Sequence, residues 1–248
     1  MENSIYKELH LDSALRIAGT SDNPTFILDR AMKIDYLKVK SITLPLTFNN
    51  VRSSNNTFLL YEEDTPDIPR QVQLDEGNYN IETLRAHMEG KINFQGTQIY
   101  FVQADPVTQR YRIGTNAARN FKLVFPNTNH SNTLLGFRVN TDTGYGKDFT
   151  APFKANINNV DSVYLCSNFL STNSTILGKP IIGSVLCRFF LNVPNGAVQN
   201  WDFSSCNYDI VRADQSISQI DLFLLDSATL EPLQLNGNTF NVTLSVWS

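Results

Sequence analysis

The chain has 248 residues, 42% of them hydrophobic and only 18% charged, with a formal net charge of −4. Low charge with abundant Asn, Thr and Ser argues for strands joined by polar loops and against a helical bundle. There is no run of Lys or Arg, which excludes a broad phosphate-binding surface, so no nucleic-acid contact is expected.

Residues 1–12 read as an N-terminal arm, extended or loosely ordered, and 13–248 as one domain able to bury a core without staples. Asn23-Pro24 marks a turn before a short strand at 25–28. A long strand follows at 34–46. Its alternation runs Leu37, Val39, then Ile42, Leu44, Leu46; the slip of one near Lys40-Ser41 predicts a β-bulge. Pro45 belongs at the strand's end or on an edge, because it cannot donate to a ladder. A polar loop at 49–56 leads into a short strand at 57–61. The acidic run Glu62-Glu63-Asp64 then reads as a solvated loop.

One helix is well marked. Asn80 is a good N-cap and Glu82 suits the first turn. Ile81, Leu84, Met88 and Ile92 form one apolar stripe. His87 lies off that stripe and reads as a surface histidine. Residues 98–102 and 110–113 form a hairpin turning at Asp105-Pro106. Residues 121–125 give another strand, 127–132 a polar loop with His130, and 134–137 a compact apolar cluster. Strands follow at 162–167 and 183–191, separated by a loop at 172–179. The run 181–186 is apolar enough for a strand buried on both faces. Residues 194–212 hold Trp201, Phe203 and Tyr208 in polar surroundings, as a bent strand or a loop packed by its own aromatics.

The chain ends in a sheet. Residues 216–225 read as a strand with Ile220, Leu222 and Leu224 on one side. Asn236-Gly237 is a turn dipeptide. Phe240, Val242, Leu244 and Val246 then alternate strictly with polar residues. The pattern predicts an all-β fold: a single jelly-roll β-sandwich of two antiparallel sheets with one short helix.

Chemistry is hard to find in the residues. Cys166, Cys187 and Cys206 are an odd set at wide spacing, neither a disulfide framework nor a zinc ribbon. Cys166 and Cys187 sit in apolar runs as small hydrophobes. His10, His87 and His130 share no motif, and Gly144-x-Gly146-Lys147 lacks phosphate-loop spacing. Asp202, Asp209, Asp214, Asp221 and Asp226 read as turn and cap residues. The N-terminus has no signal-peptide pattern and no apolar run is long enough for a membrane span. The sequons at Asn55, Asn129, Asn173 and Asn241 read as chance in an Asn-rich chain, and a reducing, cytosol-like compartment is expected. No catalytic, cofactor-binding or metal-ligating residue is assigned, and the chain is read as not an enzyme.

Several short segments, taken in order, resemble one group of proteins. They are Leu15-Arg16-x-x-Gly19-Thr20, Ile42-Thr43-Leu44-Pro45, Phe48-Asn49-Asn50-Val51 and Gly77-Asn78-Tyr79 before the helix carrying Leu84 and Ile92-Asn93. Tyr111-x-Ile113, Leu135-Gly136-Phe137, Ala151-Pro152 with Ala155-Asn156, Val163-Tyr164-Leu165-x-Ser167 and Ile220-Asp221-Leu222-x-Leu224-x-Asp226 follow, with Leu233 and the last strand. Their collinear order resembles the minor capsid (penton) proteins of virophages and polinton-like viruses, a single jelly-roll family. The resemblance implies a structural virion protein: a penton protomer forming homopentamers at the five-fold vertices of an icosahedral capsid. It implies the major capsid protein as neighbour, and assembly in host cytoplasm or a viral factory. Some relatives carry a large domain inserted at the outer tip; this chain is expected to have room only for modest loops.

Two other readings compete. A jelly-roll receptor- or glycan-binding module would use loops 49–56 or 171–179, or an exposed Trp201. A metal-dependent cupin-like enzyme would need more histidines than three.

Overall fold

The computed structural model describes residues 6–126, 131–138, 140–157, 160–170, 183–193, 196–205 and 211–248. The chain opens with β1 (Tyr6–Asp12), the short β2 (Ala18–Gly19) and the long β3 (Pro24–Pro45). Next come β4 (Thr57–Glu62), β5 (Arg70–Gln73), α1 (Ile81–Gln95), β6 (Tyr100–Ala104), β7 (Tyr111–Thr115), β8 (Phe121–Val124), α2 (Ser131–Leu135) and β9 (Asp148–Thr150). The last stretch holds β10 (Ser162–Ser167), β11 (Ser184–Phe190), β12 (Val198–Asp202), β13 (Val211–Asp221), β14 (Phe223–Asp226) and β15 (Asn241–Trp247).

These elements form two compact units. Unit 1 is Met1–Phe48 with Val160–Ser248, and unit 2 is Asn49–Asn159. This corrects the expectation of one domain over 13–248 with only modest loops. Each unit closes its own core. No Pro/Gly-rich linker marks either boundary in the sequence.

In unit 1, β15 lies between β1 and β3. Phe240, Val242, Leu244 and Val246 are all buried, as their alternation requires. Burying four such side chains is worth roughly 6–12 kcal/mol gross. The turn before them places Asn236 at φ 52° and Gly237 at φ 82°, and the Asn238 N–H donates to the Leu235 carbonyl across it. The arm expected at 1–12 is corrected from Tyr6 onward. Tyr6–Asp12 is a strand paired residue for residue with β15, because Leu9 and Leu11 fall in phase with Leu244 and Val242.

The separate strands expected at 25–28 and 34–46 are one strand, β3. On one side it pairs with β15; on the other it takes β13 along its first part and β12 at its end. The bulge is where the sequence places it: Thr243 faces Ser41 while Leu244 faces Val39, leaving Lys40 as the extra residue. Pro45 closes the strand opposite Val198.

The second sheet of unit 1 is β11-β10-β14. Val163, Leu165, Leu186, Phe189 and Leu224 enter the main core. The alternate residues Cys166, Val185, Phe223 and Leu225 form a small apolar cluster, so this sheet is buried on both faces. Ile181 and Ile182, part of the run read that way, lie outside the described residues. The strand expected at 216–225 breaks at Leu222, ending β13 and starting β14.

Unit 2 pairs β5-β4-β8 and β6-β7-β9 as two three-stranded antiparallel sheets. Phe58, Leu60, Val72, Tyr111, Ile113 and Phe121 are among its core residues, with Leu84, Met88 and Ile92 from α1. The cap of α1 is as expected. Asn80 Oδ1 accepts from the N–H groups of Glu82 and Thr83 at 3.0 and 2.9 Å, and the Asn80 N–H donates to Thr83 Oγ1. Gly96 ends the helix in an extended conformation. A Cβ there would lie 2.5 Å from the Tyr100 ring, so only glycine allows the close approach of helix end and β6. The second helix, α2, was not expected: five residues carry too little periodicity to read. Strands β5 and β9, of 4 and 3 residues, are shorter still.

Candidate functional site

The outward face of β1-β15-β3 is built by cross-strand pairing. Tyr6 faces Trp247, which faces Tyr36. The Tyr6 and Trp247 rings lie 5.5 Å apart, and Tyr6 and Tyr36 are largely exposed. One step along, Glu8 faces Ser245, which faces Lys38. Lys40, thrown out of register by the bulge, donates to Glu8 Oε1 at 2.6 Å. Tyr6 OH also donates to Glu8. Hydrogen bonding to Lys40 first, and to Tyr6 second, holds the Glu8 carboxyl below its ordinary value. His10 Nδ1 meets Thr243 Oγ1 at 3.2 Å. The result is an aromatic strip beside an ion-paired strip.

The two margins of this sheet differ. β1 is one edge, and the backbone of Tyr6–Leu11 pairs only with β15 among the described residues. β12 lies at the opposite end of the order β1-β15-β3-β12. There Val198, at the start of β12, and Phe190, at the end of β11, are exposed, with the Arg188 guanidinium 4.9 Å from the Phe190 ring centre. A half-open hollow of about 450 Å³ lies elsewhere in unit 1, with Leu225, Leu230 and Pro232 on its wall and Thr20 and Asn23 on its rim.

Of the residues proposed for sugar or receptor contact, Trp201 and three asparagines of loop 49–56 are otherwise engaged. Trp201 is on β12, not on a free loop; its ring packs 4.5 Å from Phe189 and its Nε1–H donates to the Phe190 carbonyl at 3.0 Å. In loop 49–56 the side chains of Asn50, Asn55 and Asn56 point inward and are buried. Asn50 bonds both backbone groups of Tyr79, Asn55 holds Arg52 N–H and the Asn50 carbonyl, and Asn56 donates to the Leu74 carbonyl. Loop 171–179 lies outside the described residues, as do His130, Cys206, Tyr208 and Asp209.

The acidic run divides in a way the sequence did not suggest. Glu62 is wholly buried in unit 2 rather than solvated. Its Oε1 accepts from the Thr97 N–H at 2.7 Å and the Tyr100 hydroxyl at 2.8 Å. Its Oε2 accepts from Thr97 Oγ1 at 2.8 Å and Arg70 Nε at 3.1 Å. Burial pushes this carboxyl up, but the hydrogen bonds from Thr97 and Tyr100 and the Arg70 charge outweigh it, and the net shift is downward. Burial pushes the Tyr100 phenol up. Glu63 accepts from the Asn120 N–H, and Asp64 pairs with Arg119.

Three of the scattered aspartates accept backbone N–H groups. Asp221 is buried and accepts from Ser167 Oγ, Asn168 N–H and Nδ2, and Phe169 N–H. Asp202 and Asp226 accept from the N–H groups of Ser204 and Ala228, two residues ahead of each. Asp214 sits at φ 42° within β13. His87 is half-buried rather than on the surface: its Nε2 accepts from the Asp75 N–H, and burial pulls its pKa down. Cys187 is half-buried and Cys166 fully buried. Among the described residues no three His, Cys, Asp or Glu side chains converge in a metal-binding cluster. Among the described residues no helix is long and apolar enough to cross a membrane.

Two stacked antiparallel sheets around one core, interrupted in sequence by a second folded unit, define an all-β, jelly-roll-like protein. No protein-family model matches the sequence, and no curated protein does. Among solved structures the chain is similar to the mavirus penton protein, with a TM-score of 0.54 and 12% identity over 100% of both chains. It also aligns to the Sputnik virophage structure determined by cryo-electron microscopy, with a TM-score of 0.46 and 13% identity over 100% of this chain and 98% of that one. The likeness to the mavirus protein is one of fold: the chain has the fold of a virophage penton protein.

Proposed function

We propose that this chain is a structural virion protein, a penton protomer that forms homopentamers at the five-fold vertices of an icosahedral capsid and packs against the major capsid protein. The observation that carries the reading is the fold likeness to the mavirus penton over the full length of both chains. The unit 1 sheet supports it physically. A closed ring needs a heterologous contact, in which one patch meets a different patch on the next copy. The β1 margin, whose outer edge has no backbone partner among the described residues and which carries Tyr6 beside Trp247, and the β12 margin, with Phe190 and Val198, are two different patches at opposite ends of one sheet. Tyr and Trp are the side chains that most often dominate interfaces. On this reading the chain acts by assembly, not catalysis, without a cofactor, in a virion built in host cytoplasm or a viral factory.

The test is the assembled mass of the purified chain and its position in the particle. Light scattering gives a pentamer, alone or together with the major capsid protein, and electron microscopy places it at the vertex. A stable dimer with no larger species at any concentration refutes the reading.

A further inference from the structure

Of the exposed large apolar residues in unit 2, three have sequence neighbours that meet at one buried carboxylate. Phe94 and Ile99 are each 82% exposed, and Ile68 is 57% exposed. They come from the last turn of α1, the residue before β6 and the turn before β5. Each is one or two residues from a group held by Glu62 or Arg70. Arg70 donates to Glu62 and, through its other arm, to the Gln95 carbonyl at 3.3 Å, beside Phe94. Thr97 is tied to Glu62 through both N–H and hydroxyl, two residues before Ile99. Ile99 itself is pinned by Thr115 Oγ1, which donates to its carbonyl at 2.7 Å. Asn93 bonds both backbone groups of Tyr100. These apolar groups therefore stand on a braced base rather than at a loose tip. An exposed apolar cluster on a fixed base marks an interaction site, whereas scattered single residues do not.

The rim is acidic. Glu63, Asp64 and Asp67 directly precede Ile68. Asp64 is neutralised by Arg119, but Glu63 meets only a backbone N–H and Asp67 has no partner among the described residues. The cations near these residues are engaged: Arg70 with Glu62, and Lys91, one turn before Phe94, with Asp75. A second copy presenting the same surface sets acid against acid, and an anionic lipid surface is repelled. We propose that the Ile68–Phe94–Ile99 surface docks a partner protein whose contact is an apolar cluster flanked by Lys or Arg. This stands apart from the penton reading, since it concerns unit 2 alone.

The probe is a short labelled amphipathic peptide with leucines on one face and lysines on its flanks, beside a twin with glutamates for the lysines. Fluorescence anisotropy on the full chain is combined with hydrogen-exchange footprinting. The lysine peptide binds, protects residues 94–99 and is weakened by salt; the glutamate twin does not bind. Phe94→Ser with Ile99→Ser lowers affinity about tenfold or more, the loss expected for anchor residues. Asp67→Lys weakens it too. Both variants keep the exchange protection of the unit 2 core, which separates lost contact from lost fold. Equal binding by the double variant or by the glutamate twin overturns the proposal. So does self-association of the chain, or uptake by phosphatidylcholine vesicles, that depends on Phe94 and Ile99, because each assigns the surface to another occupant.

Discussion

Glu62→Gln changes one atom of a wholly buried carboxylate and leaves its volume intact. The native oxygens accept four hydrogen bonds, one from a guanidinium. The amide turns one acceptor into a donor facing donors and leaves Arg70 without its counter-charge. Breaking a buried pair by removing one partner costs about 3–5 kcal/mol, mostly from the stranded charge. An exchange of neutral hydrogen bonds costs only about 1 kcal/mol. The lower end of the larger figure is expected here: Glu62 has no access to water and bridges β4, β5 and the start of β6, while Arg70, the charge left stranded, keeps 26% of its side chain exposed.

The assay separates the units. Both tryptophans, Trp201 and Trp247, belong to unit 1, so their fluorescence reports its unfolding. Hydrogen exchange in peptides covering 57–73 and 96–104 reports unit 2. The variant should exchange faster there by about two decades, since each 1.4 kcal/mol is tenfold, with the tryptophan transition unmoved. The pH dependence has a definite sign. The folded Glu62 carboxyl is lowered from 4.5, so its stabilisation is complete above that value and is lost as pH falls through the folded pKa. The wild-type chain loses unit 2 protection in that acid window, and Glu62→Gln removes this part of the loss. A change below tenfold at neutral pH would refute the buried-pair reasoning.

Other outcomes follow from the same contacts. Leu244→Ala in the central β15 should cost unit 1 about 2–5 kcal/mol in urea unfolding followed by tryptophan fluorescence, and deleting residues 240–248 should leave no soluble folded chain. Cys166, whose thiol burial pushes up to about 12 with a smaller contribution from Asp221, should be alkylated only after unfolding, by mass mapping of the intact and denatured chain. Five copies at −4 each carry −20, so bulk charge opposes a pentamer. Salt screens exposed charges beyond roughly 8 Å at physiological strength; pentamers should therefore survive added salt in sedimentation, and dissociation to monomers would contradict a contact held by burial.

Period-2 alternation is a local signal, and it located what local physics decides. The β15 pattern, the slip at Lys40, the Asn80 cap and the Asn236-Gly237 turn all stand where the residues place them. It failed where a residue's fate depends on a distant partner. Glu62 sits in an acidic run and looks solvated until Thr97, Tyr100 and Arg70 arrive from other elements. Trp201 looks available in polar surroundings until Phe189 and the Phe190 carbonyl claim it. Residues 6–12 look like an arm because their strand partner lies at the far end of the chain. One overlooked signal was local: Phe94 falls two residues after Ile92, off the stripe of Leu84, Met88 and Ile92, and an apolar residue off a helix's buried stripe faces water or a partner.

The division into two units has the same origin. Every strand partner in the unit 1 sheets, among the described residues, comes from before Phe48 or after Val160: β1 to β3 on one side of the sequence gap, β10 to β15 on the other. The hydrogen-bonded order of the sandwich thus places no demand on the residues between β3 and β10. Those residues meet their own demand, with Leu84, Met88 and Ile92 from the helix filling the core that β4 to β8 enclose. Alternation tells which face of a strand is buried, but not against which core. A chain that leaves one sandwich, completes another unit and returns reads, strand by strand, like a chain that never left.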